Sequence, residues 1–373
     1  MATPTNGSLL SAVTTIANTY LSRGQTDESS RLFSALANLR EAANDDAIAT
    51  AHTFGLLVVT FLENGQWKAA ADIGTLVVDA RVALLGSENP STLTAMSNLA
   101  AAYWGQGRWS EAAELGRRVT EIRTRVLGEE HPQTLNSMSN LASTYAKQGR
   151  FMEAEAIGLR LLEVQGRTRG DGDPKHPLTL SSMANLATTY RDMQRLKEAE
   201  ELEVKVVNGS KTVLGEHHPE TLVAVGNLAA TYRCQGRLGD AARLGERAMA
   251  SMKTSLGEEH PYTLTAMANL ALTYQLEGRS PQAERMTFQV LQLMQRSLGE
   301  AHPHTLTTMA NLGAIYQSQG RWDDAEKVAE QTVRGREMVL GKEHPDTLAS
   351  MEDLMRVYRV LAADRTMQRA AMR

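Results

Sequence analysis

Apolar residues along this chain fall at helical spacing and are interrupted at regular places. In the segment 256–297, Leu264, Met267, Leu270, Ala271 and Tyr274 follow one another at steps of three, three, one and three, which is one face of an α-helix. After Gly278 the pattern resumes with Ala283, Met286, Val290, Leu291 and Met294, and it stops at Leu298-Gly299. A glycine after the last turn supplies the left-handed backbone that ends a helix. A proline in the first turn fills a site whose N–H would be unpaired in any case. The segment therefore predicts a helix A opened by His-Pro, a turn at Gly278, and a helix B closed by Leu-Gly.

Most of the chain repeats this unit. Pro90, Pro132, Pro177, Pro219, Pro261, Pro303 and Pro345 are separated by 42, 45, 42, 42, 42 and 42 residues. A fixed period in this range marks stacked supersecondary units, each touching only its neighbours, rather than one globular core. The register divides the chain into a flexible N-terminus at 1–7, degenerate repeats at 8–46 and 47–86, regular repeats at 87–128, 129–173, 174–215, 216–257, 258–299 and 300–341, and a capping helix with tail at 342–373. Leu57, Phe61, Gly65 and Ala70 hold the second repeat in register without a His-Pro, and Tyr20, Gly24 and Phe33 suggest the first, with Ser29 where Ala is expected. Terminal repeats are expected to be atypical because one of their faces meets solvent. The expected fold is all-α: a right-handed α-solenoid, or superhelix, of about eight helix pairs plus a C-terminal capping helix. The longer connection between the fourth and fifth repeats carries Gly170-Asp171-Gly172-Asp173-Pro174. Its aspartates are not followed by the Glu that closes a calcium loop of about 12 residues, so it reads as a turn insertion.

Within the repeats, Leu99, Ala100, Tyr103, Gly107 and Ala112 stand at offsets that return as Leu141, Ala142, Tyr145, Gly149 and Ala154, and again as Leu228, Ala229, Tyr232, Gly236 and Ala241. The set recurs at Leu270, Ala271, Tyr274, Gly278 and Ala283, and at Leu312, Gly313, Tyr316, Gly320 and Ala325. One repeat keeps Leu186, Ala187, Tyr190 and Ala199 but has Gln194 for the turn glycine. This pattern resembles the tetratricopeptide repeat in its lengthened, kinesin-light-chain-like form. The resemblance covers nearly the whole chain as a module; kinesin light chain as a whole protein is a poorer match, because no long heptad segment precedes the repeats. It implies that helix A lines a concave groove. It also implies that an Asn before the core Leu of helix A hydrogen-bonds the backbone of a bound extended peptide, and in this chain that residue is Asn98, Asn140, Asn185, Asn227, Asn269 and Asn311. An amide suits the task because it donates and accepts at once, gripping peptide N–H and C=O without reading sequence. The alternative use of these side chains is to tie adjacent helices or waters together in an empty groove.

Composition narrows the partners. A net charge of −4 leaves no excess of positive charge to neutralise phosphates, so neither nucleic acid nor a membrane surface is expected as the main partner. The single cysteine, Cys234, is at ease in a reducing compartment, and the start of the chain has no secretory pattern, so a cytoplasmic location is expected. No cofactor or metal is expected, because phosphate-binding loops, HExxH and paired Cys/His motifs are absent. The histidines preceding the prolines, His131, His176, His218, His260, His302 and His344, read as turn residues; one repeat step, roughly 10 Å, is too long for shared metal coordination.

If the repeated Asn grips backbone, selectivity must come from positions that differ. Three residues after the Asn stand mostly small residues, Ala101, Ser143, Thr188, Ala230 and Ala314, with Leu272 the exception. Six or seven after it stand Trp104, Lys147, Arg191, Asp192, Arg233, Cys234, Gln275 and Leu276. Arg191 and Arg233 occupy equivalent places in successive repeats, so both could grip an acidic group, and Trp104 offers an aromatic anchor. The leading expectation is a scaffold or adaptor that binds a peptide segment of another protein. The rival is a small-molecule binder or unconventional enzyme with a cavity walled by Trp104, Arg191, Asp192, Arg233 and Cys234, although no nucleophile, base and orienting group can be assigned.

Overall fold

The computed structural model describes residues 4–41, 46–168 and 176–371, and in them the chain is helical with no strands. Its helices are α1 (Asn6–Ser22), α2 (Thr26–Glu41), α3 (Ala47–Glu63), α4 (Trp67–Leu85), α5 (Pro90–Gly105), α6 (Trp109–Leu127), α7 (Pro132–Lys147), α8 (Phe151–Thr168) and α9 (Pro177–Asp192). They continue as α10 (Leu196–Leu214), α11 (Pro219–Cys234), α12 (Leu238–Leu256), α13 (Pro261–Leu276), α14 (Ser280–Leu298), α15 (Pro303–Ser318), α16 (Trp322–Val339) and α17 (Pro345–Ala371). The chain forms two compact units, Met1–Arg150 and Phe151–Arg373, with the boundary between the two helices of the fourth repeat. Within each unit every helix packs on the next, the helix-pair stacking of an all-α solenoid. Consecutive A helices also touch one another, α1 to α3 to α5 in the first unit and α9 to α11 to α13 to α15 in the second, whereas B helices stand farther apart. Each array therefore curves with its A helices on the inner side.

The punctuation works as its chemistry demands. His131, His176, His218, His260, His302 and His344 each stand one residue before the proline, and the Nδ1 atom of each accepts the backbone N–H two residues on, at 3.1–3.3 Å. Asn89 does the same with its side-chain oxygen at 2.9 Å. An acceptor at this place satisfies one of the free N–H groups of a helix start. The A-to-B turn requires a left-handed residue, which is glycine at Gly107, Gly149, Gly236, Gly278 and Gly320; Gln194 takes the same conformation with φ 59.

At four junctions between repeats, glycine on helix B permits a close approach. A Cβ at Gly74, Gly116, Gly158 or Gly245 would stand 3.0–3.4 Å from a Cδ1 atom of Leu99, Leu141, Leu186 or Leu270, the core Leu of the next A helix. The arginine after each turn has a role the sequence reading missed. Arg108, Arg150, Arg195, Arg237, Arg279 and Arg321 lie over the rings of Tyr103, Tyr145, Tyr190, Tyr232, Tyr274 and Tyr316 at 3.8–4.3 Å. Several also reach a carboxylate on the preceding B helix, as Arg195 does to Glu155 at 2.7 Å and Arg321 to Glu284 at 2.7 Å. These cations are consumed by the architecture.

The ends differ from the regular repeats in instructive ways. Helix α1 begins inside the segment 1–7 that was expected to be flexible. Thr5 caps it, accepting from the Ser8 N–H at 3.2 Å while the Ser8 hydroxyl accepts from the Thr5 N–H at 3.0 Å. Ser29, in the Ala position, is buried and donates to the Ala17 carbonyl at 3.0 Å, so its hydroxyl is satisfied. Helix α17 packs Val357 and Leu361 against Ala325 of the last full repeat. The insertion Gly170-Asp171-Gly172-Asp173-Pro174 lies outside the described residues.

Candidate functional site

The inner face of each unit is the row of A helices, and the expected site residues lie along it. The side-chain amides of Asn98, Asn140, Asn227, Asn269 and Asn311 are half-buried or exposed. None of these five makes a side-chain hydrogen bond to another described residue, so they do not tie neighbouring helices together. Their backbone carbonyls are used instead: Asn140 and Asn269 accept from the hydroxyls of Thr144 and Thr273 at 2.8 and 3.0 Å.

In the first unit the structure brings Trp104 and Asn140 to one cavity of about 380 Å³. Trp67, Ala101, Gly116 and Ser143 complete much of its wall, so the small residues three positions after the Asn do open space beside Trp104. Trp104 is 39% exposed over it. Lys147 is exposed at the end of α7.

In the second unit the two arginines are equivalent in position and different in circumstance. The Arg191 guanidinium donates to Glu203 Oε1 at 3.0 Å, and more loosely to the Asn227 carbonyl and the Thr231 hydroxyl, both at 3.4 Å. Glu203 is only 2% exposed. Burial pushes its carboxyl above the usual carboxylate range, against the opposing pull of the Thr231 hydroxyl and Arg191. Arg191 thus has an internal counter-charge, so the paired grip expected of Arg191 and Arg233 is already spent at one of its two members. Arg233 keeps only the equivalent backbone contact, donating to the Asn269 carbonyl at 3.3 Å, and pairs with no carboxylate among the described residues. Burial lowers its pKa from the ordinary arginine value; the nearby Arg191 adds to this, while Cys234 opposes it. The cause is visible in helix B, where the column reads Gly74, Gly116, Gly158, Glu203, Gly245. Glutamate enters once, opposite Arg191, and glycine returns opposite Arg233. Gln275, half-buried, takes the arginine position in the following repeat.

Sequence reasoning did not single out Glu203; its place in a glycine column was the available signal. Among the described residues, no group of three or more His, Cys, Asp or Glu side chains is arranged to hold a metal ion, and no helix is long and apolar enough to cross a membrane.

The helix-pair repeat, its caps and its inner row of amides define a helical-repeat protein of the kind that works as an interaction scaffold. Tetratricopeptide repeat models match residues 76–125, 91–167 and 226–286 in one form and 179–220 and 305–346 in another, together more than half of the sequence, and the chain belongs to the tetratricopeptide repeat family. Nearly identical TPR-like repeats of a Podosopora anserina chain described as a kinesin light chain are 30% identical, over 56% of this chain and 97% of that one, with a TM-score of 0.45. BtubC (BKLC) from P. vanneervenii is 22% identical over 62% of this chain and 89% of its own, with a TM-score of 0.47. A Rap protein complexed with Competence and Sporulation Factor shares the fold at 12% identity, over 95% of this chain and 99% of its own, with a TM-score of 0.55. No curated protein matches the sequence.

Proposed function

We propose that this chain is an interaction scaffold that holds an extended peptide segment of a partner protein along its A helices, and that Arg233 takes an acidic group of that segment. The observation that carries the reading is the half-buried Arg233 guanidinium without a carboxylate, one repeat after an Arg191 that has one. A guanidinium held partly out of water by its surroundings gains more from an incoming carboxylate than a fully solvated one does, and its planar fork fits that group in two-point geometry. The unengaged Asn amides supply a sequence-independent grip on peptide backbone. The Trp104 cavity of the first unit accepts an apolar side chain. A Rap protein of the same fold is known in complex with Competence and Sporulation Factor, which is in keeping with a ligand-binding use of this fold. The cytoplasm is the proposed location.

The test is selection of random linear peptides displayed on phage against the wild-type protein and against Arg233→Ala. Wild type should enrich peptides with Asp or Glu at one fixed place, and the acidic preference should be lost in the variant while circular dichroism stays unchanged. Enrichment of no peptide, or an acidic preference that survives in Arg233→Ala, would overturn the proposal.

A further inference from the structure

A second buried cation lies in the first unit, beside a cavity that shares only Asn98 with the peptide reading. On helix B, five residues before the closing glycine, stand Arg81, Arg123, Gln165, Ser210, Met252, Met294 and Arg336 in successive repeats. Arg81, Arg123 and Arg336 are buried, at 9%, 6% and 7% exposure, and each gives an Nη1 hydrogen bond to a carbonyl at the start of the next A helix, Ser91, Gln133 or Asp346. That contact explains the arginine as a tie between repeats. What faces Arg81 goes beyond a tie.

Opposite it, α3 carries Gly55 where α5 carries Ser97, and a Cβ at Gly55 would stand 2.8 Å from Arg81 Nη2. The missing side chain opens a cavity of about 280 Å³ with Arg81 on its wall. The inner row is also altered here: Leu56 stands in the Asn position and Val59 in the small-residue position, and these apolar side chains are 58% and 37% exposed on the same cavity. Arg81 spends two N–H groups on the carbonyls of Ser91 and Ala51, at 2.7 and 3.4 Å, and no carboxylate among the described residues pairs with it. Three N–H groups of the five remain on a cation nine-tenths buried. Burial alone lowers its pKa, the mark of a charge that lacks a counter-charge.

We propose that this cavity is a binding site for an aliphatic carboxylate, with the acid on the Arg81 guanidinium and the hydrocarbon against Leu56 and Val59. One guanidinium matches the charge of one carboxylate, the apolar wall suits a short aliphatic tail, and a cavity of about 280 Å³ suits a small acid. The carboxylate can belong to a free short-chain acid or to the C-terminus of a peptide.

Isothermal titration calorimetry on the full chain separates these sources, with hexanoate as the free acid and N-acetyl-Ala-Leu as the peptide terminus. Hexanol, the peptide's C-terminal amide and inorganic phosphate serve as controls. Arg81→Met is the informative variant because Met252 and Met294 already occupy that column in folded repeats. Leu56→Trp, at an exposed position, blocks the mouth without touching the cation. One or both carboxylates should bind wild type, and affinity should fall about tenfold or more in Arg81→Met and in the neutral analogues. Binding of hexanoate alone assigns a metabolite site, and binding of the peptide acid alone assigns a C-terminus. Equal affinity in a folded Arg81→Met, equal binding of the neutral analogues, binding of phosphate only, or no binding at all overturns the proposal.

Discussion

Replacing Gln194 by glycine should stabilise the protein, and the reciprocal change at the next turn should do the opposite. Gln194 holds φ 59 at a place where Gly107, Gly149, Gly236, Gly278 and Gly320 hold φ between 71 and 78. A non-glycine residue in this region is strained by its Cβ against the carbonyl, at a cost of ~1–2 kcal/mol. Glycine removes that strain but gives back ~0.5–1 kcal/mol through the greater freedom of the unfolded chain. The net gain for Gln194→Gly is therefore about 0.5–1 kcal/mol, a rise in Tm of roughly 1–4 °C. At Gly236 a Cβ would meet nothing within 4 Å, so Gly236→Gln isolates the backbone contribution and should lose stability by a similar amount. Guanidinium unfolding followed by far-UV circular dichroism measures both. If Gln194→Gly lowers the midpoint, or Gly236→Gln leaves it unchanged, the backbone does not carry the strain argued for it.

Other consequences follow from single contacts. Gly105→Ala places a Cβ 2.7 Å from Cγ and Cε3 of Trp67, so it should destabilise by ~1–3 kcal/mol in thermal unfolding; a neutral effect would mean that the ring moves aside freely. His302 caps α15 through Nδ1, which must be unprotonated to accept the His304 N–H at 3.2 Å, and burial pulls its pKa down to about 4, assisted by His304. The unfolded chain takes up that proton near pH 6.5 and the folded chain only near pH 4, so stability should fall as pH drops through this window and level off below it. His302→Asn keeps a capping oxygen, as Asn89 already supplies for α5, and should flatten that part of the profile; an unchanged profile would place the titration elsewhere. Burial raises the Glu203 carboxyl, so its ionised form opposes folding: its contribution is most favourable below the unfolded carboxylate pKa and is lost as pH rises through the higher folded one. Removing that carboxylate with Glu203→Gly should convert Arg191 into a second unpaired arginine and strengthen acidic-peptide binding, read by fluorescence anisotropy; weaker binding in a folded variant would contradict it.

The fold was legible because its determinants repeat. The Leu-Ala-Tyr face, the turn glycine and the Leu-Gly/His-Pro boundary each satisfy a local requirement of helix geometry or close packing, and a requirement met at a fixed period is visible without coordinates. The histidines were recognised as turn residues, although their role as Nδ1 caps needed the geometry. The Arg-Tyr stacks were not legible, because a one-dimensional register does not show that a residue after the turn folds back over a ring five positions earlier. The two arginines looked alike for a related reason. What separates them, Glu203 against Gly245, lies on the other helix of the pair, so the difference exists only in the packed structure.

Arg233 lacks a carboxylate of its own among the described residues, and Gly245→Glu supplies one by copying the arrangement of Arg191 and Glu203. The measurement is the affinity of an acidic peptide selected on wild type, relative to its Asp→Asn or Glu→Gln counterpart, on wild type and on Gly245→Glu. Wild type should prefer the acid by about ten- to a hundredfold, the worth of a charge-assisted hydrogen bond, and the preference should collapse in the variant. An undiminished preference for the acid in a folded Gly245→Glu protein would contradict the central claim.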